Sequence, residues 1–312
     1  MPKTFDIITI GAATVDIFAK SLQYRVADGL ISLPSSSKNE ISHSLISSGG
    51  GATNASVSFS RLKLNTACLA LLGSDPLSTF VLNDLQTDKV DSSLLVRPKT
   101  ESTDYSIILV SQDGGRTILT NRGNSYLQDK HITWSRIAHT KWFYITSLEG
   151  NLDLLEKLIG FALENKIKIS LNPGRRELSK RQALIPLLQH VDFLLLNKEE
   201  SETLTNLSIT HPDFWNKLLS FKSKIIAVTN GRHGAHILTP DQNLFSPVIN
   251  TQPVDETGAG DSFGSTFVAS LIYGHTLDTS LLWALKNSAS VVSHLGAKTG
   301  LLTKNKIKSI IQ

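Results

Sequence analysis

The sequence predicts a doubly wound α/β protein: a mostly parallel sheet flanked by helices, carrying a small β-sheet lid. Three observations predict it. Short β-branched apolar runs alternate with longer stretches of helical periodicity along most of the 312 residues, and strand–helix–strand order repeated in this way builds a parallel sheet wound on both faces. Most of the runs are continuously apolar, as strands covered on both sides must be. Two regions, about 14–46 and about 98–123, break the rhythm with alternating residues and flank its first two units.

Taken in order, the core strands are expected at residues 5–10, 66–72, 141–146, 168–171, 192–196 and 224–228. Helices are expected at 55–62, 152–163, 184–188, 214–221 and 267–271. The second of these sets Leu152, Leu155, Ile159 and Leu163 at helical spacing behind Asn151. Lid strands are expected at 14–19 and 41–46, around the bend Pro34-Ser35-Ser36-Ser37. Two more, at 105–110 and 116–120, are joined by the turn Gln112-Asp113-Gly114-Gly115. A β flap beside a sheet edge is suited to closing over a site. Residues 259–312 read as mostly helical, with no internal repeat or flexible linker anywhere. One domain over 1–312 is therefore expected, with the lid inserted in its core.

Composition narrows the function. Hydrophobic residues make up 40% of the chain, enough for a sizeable core without metals or disulfides. The single cysteine, Cys68, lies in the apolar run 66–72. A thiolate metal cluster, an Fe–S centre and an intramolecular disulfide are excluded, and a reducing compartment is expected. Asp6 and Asp16 interrupt the apolar stretch a signal peptide needs, and no run approaches the ~18 apolar residues of a membrane span. A cytoplasmic protein with no membrane partner follows. Thirty-one Lys and Arg against 27 Asp and Glu give a charge of +4. The basic residues are scattered in pairs such as Arg175-Arg176 and Lys180-Arg181, without the aromatic-interleaved stripe of a nucleic-acid binder.

Three glycine-rich clusters carry the chemistry. The sharpest is Asp255-Glu256-Thr257-Gly258-Ala259-Gly260-Asp261-Ser262-Phe263-Gly264, running into a helix. Glycines at a loop-to-helix junction let backbone N–H groups converge on an anion, and the helix N-terminus adds about half a unit of positive charge. The structural alternative is that Asp261 is simply an acid in a first helical turn, where acids are favoured. A dinucleotide fingerprint fails on spacing and on the lack of a following strand–turn–helix unit. Gly260-Asp261-Ser262-Phe263-Gly264 has the G-x-S-x-G form of a serine-hydrolase elbow, with Asp278 and His294 following in order. An elbow needs a buried strand before it, however, and residues 253–258 make a poor one. No G-x-x-x-x-G-K-[ST] occurs, which excludes a P-loop. The third functional reading is phosphoryl transfer, in which the amides of residues 258–261 would cradle the moving phosphoryl group while the Asp261 carboxylate would take the acceptor's proton.

The second cluster is Ser48-Gly49-Gly50-Gly51-Ala52-Thr53-Asn54. It reads either as a turn that lets a small ligand approach the backbone, with Asn54 as a two-way hydrogen-bonding group, or as a flexible turn capped by Asn54. The third is Val228-Thr229-Asn230-Gly231-Arg232-His233-Gly234-Ala235, at a strand's carboxyl end, where open α/β sheets hold ligands. A plain turn is its alternative.

Together and in this order, the clusters resemble the ribokinase, or PfkB, family of carbohydrate and nucleoside kinases, and the resemblance spans nearly the whole chain. Ile10-Gly11-Ala12-Ala13-Thr14-Val15-Asp16 resembles the family's first strand with its sugar-binding aspartate. Gly49-Gly50 with Asn54 matches the first signature, Asn197-Lys198-Glu199-Glu200 the N-x-x-E motif, Thr229 and Gly231 the nucleotide loop, and residues 255–261 the second signature.

The resemblance implies ATP-dependent phosphorylation of a sugar hydroxyl, with a nucleoside as alternative acceptor and a catalytically silent binding module as the outside alternative. It makes Asp261 the base and Gly258, Ala259 and Gly260 the anion hole. Asp16, Gly50, Gly51 and Asn54 would bind the acceptor, because a polyol needs paired hydrogen bonds once water is excluded. Asn197, Thr229, Gly231 and Gly234 would meet the nucleotide, with Glu200 acting through water on Mg²⁺; a helix cap is the alternative for Asn197 and Glu200. A monovalent cation such as K⁺ would sit by Asp255, Val291, His294 and Gly296, although Gly300 replaces the serine of ribokinases proper.

Gly51 stands where ribokinases proper have a lysine, and Thr14 where they have an asparagine, so ribose itself is not implied. Loss of the lysine side chain is expected to leave room for a bulkier acceptor. Arg122, in the segment 116–124, is expected either to face solvent or to reach an acidic acceptor, and Asn172-Pro173 to line the pocket. A homodimer formed through the lid is a further implication.

Overall fold

The computed structural model describes residues 4–28, 30–111, 115–123 and 126–309. Its first eight strands are β1 (Ile7–Ala12), β2 (Thr14–Lys20), β3 (Arg25–Ala27), β4 (Leu30–Ser32), β5 (His43–Gly49), β6 (Thr66–Leu71), β7 (Asp104–Val110) and β8 (Arg116–Asn121). Six follow: β9 (Trp142–Ile145), β10 (Lys168–Leu171), β11 (Phe193–Asn197), β12 (Ile225–Thr229), β13 (Ala235–Thr239) and β14 (Gln242–Ser246).

Eight strands form the main sheet in the order β14-β13-β12-β11-β10-β9-β1-β6. The six from β12 to β6 are parallel, and each lies within two residues of an expected core strand. β13 and β14 join antiparallel at one edge and were not foreseen. The edge strand β14 has no fully buried residue, so it lacks the continuous apolar run that marked the others.

Side-chain alternation explains why the central strands are apolar at every position. Along β9, Phe143 and Ile145 enter one core and Trp142 and Tyr144 the other. Along β11, Leu194 and Leu196 take the first side, Phe193 and Leu195 the second. Helices Leu152–Glu164, Arg181–Leu188 and Phe214–Leu219 cover the first face. Helices Gly51–Arg61, Ala259–Ile272 and Leu277–Val292 contribute to the cores on the second. Each large aliphatic side chain buried in this way contributes roughly 1.5–3 kcal/mol before entropy is counted. Helix Ala259–Ile272 lies hard against the sheet because Gly264 lacks a side chain: a Cβ there would overlap the Tyr144 hydroxyl. That contact helps hold the helix N-terminus at the carboxyl edge of the sheet.

The lid-like sheet has four strands in the order β5-β2-β7-β8. β2 and β7 pair in parallel and the outer pairs are antiparallel, at the positions expected for the lid strands. Only Ala13 separates β2 from β1, so the small sheet springs directly from the main one. Residues 112–114 of the expected hairpin turn, Asn124 and residues 310–312 lie outside the described residues. The short ribbon of β3 and β4 was not foreseen.

Candidate active site

Two chain segments far apart in sequence meet over a cavity of about 510 Å³ at the carboxyl edge of the main sheet. The first is the glycine turn. β5 ends at Gly49, and Gly50, at φ 93°, caps the helix Gly51–Arg61. Only glycine serves at 50, since a Cβ would stand 2.5 Å from the Ala12 carbonyl oxygen as well as in a strained backbone region. A Cβ at 49 would overlap the Asp16 carboxylate. The turn is thus moulded onto Asp16, which sits within β2 at 8% exposure.

Burial pushes the Asp16 carboxyl up to about 6, with the Lys298 ammonium and the Ser106 hydroxyl opposing the rise and the Asp255 and Asp261 charges adding to it. Gly51 lines the cavity, and a Cβ at this position would come within 2.9 Å of the Thr146 side chain, which packs beside the backbone there.

The second segment is the loop and first turn of helix Ala259–Ile272. Gly258 caps it in the left-handed region at φ 79°, and a Cβ there would stand 2.6 Å from that of Ala297. At Gly260 a Cβ would meet no atom within 4 Å, so the backbone there is open to approach. Asp261 lies one residue further and lines the cavity with Thr257 and Gly258, whereas Ala259 and Gly260 are not part of its wall. Burial raises the Asp261 carboxyl above its ordinary range, against a hydrogen bond from Asn54 and the charge of Lys298.

Asn54 is not a helix cap, because the helix starts at Gly51 and Asn54 closes its first turn by donating its backbone N–H to the Gly50 carbonyl at 2.9 Å. Its side-chain amide donates to the Asp261 carboxylate at 2.8 Å. Its side-chain oxygen is buried with no partner among the described residues. An orphaned buried acceptor beside a carboxylate is suited to receiving a ligand hydroxyl.

Lys298 is the residue that sequence reasoning missed. It is buried, and its ammonium donates to the Ser48 carbonyl at 2.9 Å, to Thr53 Oγ1 at 3.1 Å and to the Ser48 hydroxyl. Thr53 passes the restraint on by donating to the Gly49 carbonyl at 2.6 Å, and Ser48 donates to Asp84 at 2.5 Å. Burial depresses the Lys298 pKa to about 8, opposed first by Asp84 and then by Asp16, Cys68 and Asp261. Nothing in Gly296-Ala297-Lys298-Thr299 distinguishes this lysine from a solvated one. Only the packing does.

The serine-hydrolase reading fails on geometry. Ser262 is 1% exposed within the helix and donates to the Ala259 carbonyl at 2.9 Å, while Gly264 serves the contact with Tyr144.

Toward the other sheet edge, Asn197 and Thr229 are register partners at the ends of β11 and β12. Gly231 and Gly234 follow, the latter at φ 98° where a Cβ would overlap the Ser246 carbonyl oxygen. These four lie outside the main cavity; Glu200 lines it. Asn197 and Glu200 do cap their helix reciprocally: the Asn197 side chain accepts from the Glu200 amide at 2.9 Å, and a Glu200 carboxylate oxygen accepts from the Asn197 amide at 2.8 Å. The cap occupies Oε2 of Glu200. Burial raises its pKa, with the Asp261 charge adding to the rise. A carboxylate with one oxygen so placed fits a hydrated Mg²⁺, a hard ion that binds through few protein ligands.

Asp255 is 6% exposed. Its Oδ1 accepts from Thr257 N at 3.0 Å, Thr257 Oγ1 at 2.7 Å and Arg116 Nη1 at 2.7 Å, and its Oδ2 from Gly296 N at 2.9 Å. The Val291 carbonyl accepts the N–H groups of Ser293 and His294. Arg122 lines the cavity and pairs with Glu149, which also holds Arg176 at 3.2 Å. Asn172 and Pro173 are on the wall as well.

Comparison with known proteins places these features. A model of pfkB family carbohydrate kinases matches residues 5–304. A ribokinase of Staphylococcus aureus (strain COL) is 23% identical over 274 residues, 86% of each chain. A nucleoside kinase of Methanocaldococcus jannaschii is 26% identical over 262 residues, 83% of each. Among solved structures, a candidate ribokinase II from E. coli in complex with ATP and Mg²⁺ shares the fold at a TM-score of 0.84, with 21% identity over 99% of each chain. The match over nearly the full length, joined to the two glycine segments that meet at Asp261, establishes that the chain belongs to the pfkB family of carbohydrate kinases.

Proposed function

We propose that this chain is an ATP-dependent kinase transferring the terminal phosphoryl group to a hydroxyl of a small sugar, a ribose-like pentose or a hexose. The observation that carries the reading is the Asn54–Asp261 hydrogen bond at 2.8 Å, which joins the glycine turn holding Asp16 to the anion-hole helix. Asp16 and the free oxygen of Asn54 hold acceptor hydroxyls, and Asp261 faces the one that reacts. As that oxygen bonds to the terminal phosphorus, its proton passes to Asp261 and the bond to the ADP oxygen breaks. The amides of Gly258, Ala259 and Gly260 stabilise the charge on the moving phosphoryl group. Asn197, Thr229, Gly231 and Gly234 hold the nucleotide. Glu200 would hold Mg²⁺ through its water shell, and the ion when bound would supply positive charge to the phosphates.

The small sheet acts as a lid that keeps water from the phosphoryl group. Its exposed Ile46, Ile118 and Leu119 favour pairing of two copies through it. The lone buried Cys68 accords with a cytoplasmic setting, and no helix of the described residues is long and apolar enough to cross a membrane.

A nucleoside is the second reading, supported by a cavity of about 510 Å³, roomier than a pentose needs, and by the nucleoside kinase relative. ADP release measured across pentoses, hexoses, sugar phosphates and nucleosides tests both, and a nucleoside preference reverses their order. Asp261→Asn is expected to cut turnover by roughly 10²–10⁴-fold with MgATP affinity retained. Full turnover in that variant refutes the mechanism, and a wild type that binds MgATP but phosphorylates nothing on the panel points to a silent binding module.

A further inference from the structure

The carboxylate at the centre of the expected monovalent-cation site already carries a cationic side chain. A site for K⁺ requires several oxygens with free lone pairs and net negative potential. Asp255 Oδ1 is crowded by three donors, one of them a guanidinium, and Oδ2 accepts the Gly296 N–H. The Val291 carbonyl already accepts two N–H groups. At Gly300 there is no hydroxyl, and its carbonyl is taken by the Ser290 hydroxyl at 2.7 Å. Serine cannot simply be restored there, since a Cβ at 300 would overlap the Ser290 carbonyl oxygen and stand 2.7 Å from the Val291 Cα.

Arg116 supplies the charge that such an ion would bring. It opens β8, the outer strand of the small sheet, opposite Val110. Its Nη1 lies 2.7 Å from Asp255 Oδ1 and its Nη2 3.6 Å from the exposed carboxylate of Glu256. Asp255 in turn fixes the start of the anion-hole loop through Thr257 and ties it to Gly296, whose neighbour Ala297 supports Gly258.

We propose that the Arg116 guanidinium is this kinase's built-in counter-ion for Asp255, so that the anion-hole loop is ordered by a side chain of the small sheet and the protein is indifferent to K⁺. The proposal rests on the anion-hole reading of residues 258–260 and adds a consequence: organisation of the phosphoryl site is tied to the position of the small sheet, not to the surrounding salt.

The test compares KCl with choline chloride at matched ionic strength, reading the melting temperature of the ligand-free protein and the calorimetric affinity for MgATP. Wild type is expected to give the same melting temperature and the same affinity in both salts. Arg116→Ala is expected to bind MgATP about tenfold more weakly in choline chloride, with part of the loss recovered in KCl. Arg116→Lys, which keeps the charge, is expected to remain indifferent to the salt. Higher melting and tighter MgATP binding of wild type in KCl overturns the proposal, as does an Arg116→Ala protein that binds MgATP as wild type does in both salts. If Arg116→Ala does not fold, the wild-type pair of measurements and Arg116→Lys still decide. A wild type that binds no MgATP in either salt counts against the proposed function, and its melting comparison still judges the arginine.

Discussion

Asn54 donates its side-chain amide to Asp261 at 2.8 Å across a sequence separation of 207 residues. This bond orients the proposed base and also holds its proton affinity down against the effect of burial. Asn54→Ala removes the donor, so the Asp261 carboxyl rises further above its ordinary range. The acidic limb of the kcat/KM profile is expected to move to higher pH, with kcat/KM at its optimum falling by roughly 10–100-fold. A pH–rate profile superimposable on wild type would show that the bond does not tune the base.

Lys298 and Asp16 set opposite edges of a working pH window. On the proposed mechanism ionised Asp16 accepts acceptor hydroxyls, so acceptor binding is expected to strengthen as pH rises through about 6. Above about 8 Lys298 loses its proton and the glycine turn loses its charged restraint, so acceptor KM is expected to rise. Stability moves the other way at the alkaline edge. The folded pKa of Lys298 is depressed from 10.5 to about 8, so between these values the unfolded chain binds more protons and stability grows with pH. By linkage the increment is about 3 kcal/mol at most. Urea titrations and acceptor KM measured from pH 7 to 10 check both signs, and Lys298→Met is expected to abolish the alkaline change in each.

Gly258→Ala meets two obstacles: a left-handed backbone and the Cβ of Ala297 at 2.6 Å. A loss of roughly 1–3 kcal/mol in stability is expected, together with a fall in kcat larger than any change in acceptor KM. Chemical denaturation and steady-state kinetics measure the two. An alanine variant with wild-type kcat would free this residue from the anion hole.

Ser262→Ala distinguishes chemistries at little structural cost. The hydroxyl donates only to the Ala259 carbonyl within its own helix, so its removal is expected to cost under about 1 kcal/mol. Kinase turnover should stay within about threefold of wild type, since the residue holds no proton in the transfer. Loss of all activity would reopen the hydrolase reading.

What was legible in the sequence follows from how local each signal is. The six parallel strands could be read because strands buried on both faces are apolar at every position, as Phe193, Leu194, Leu195 and Leu196 illustrate. β14 escaped because an edge strand needs no such run. Asn54 and Asp261 stood out because glycine-rich runs precede them, whereas Asp16 was marked only by the family resemblance; Asn54 was also open to reading as a cap, since Gly51 conceals where the helix begins. Asn197 and Glu200 answer to both descriptions at once: the pair caps a helix, and Glu200 lines the cavity. Lys298 and Arg116 gave no signal. Each looks like an ordinary surface cation until the tertiary fold brings Ser48 and Thr53 to the one and Asp255 to the other.

The contact between Lys298 and Ser48 spans 250 residues. During synthesis on the ribosome, the glycine turn therefore emerges long before the ammonium that secures it. A nascent chain with β1 to β12 already paired still lacks Asp261, the loop before it and this clamp. On the proposed mechanism, translation has to be almost finished before the growing polypeptide can assemble its phosphoryl-transfer site.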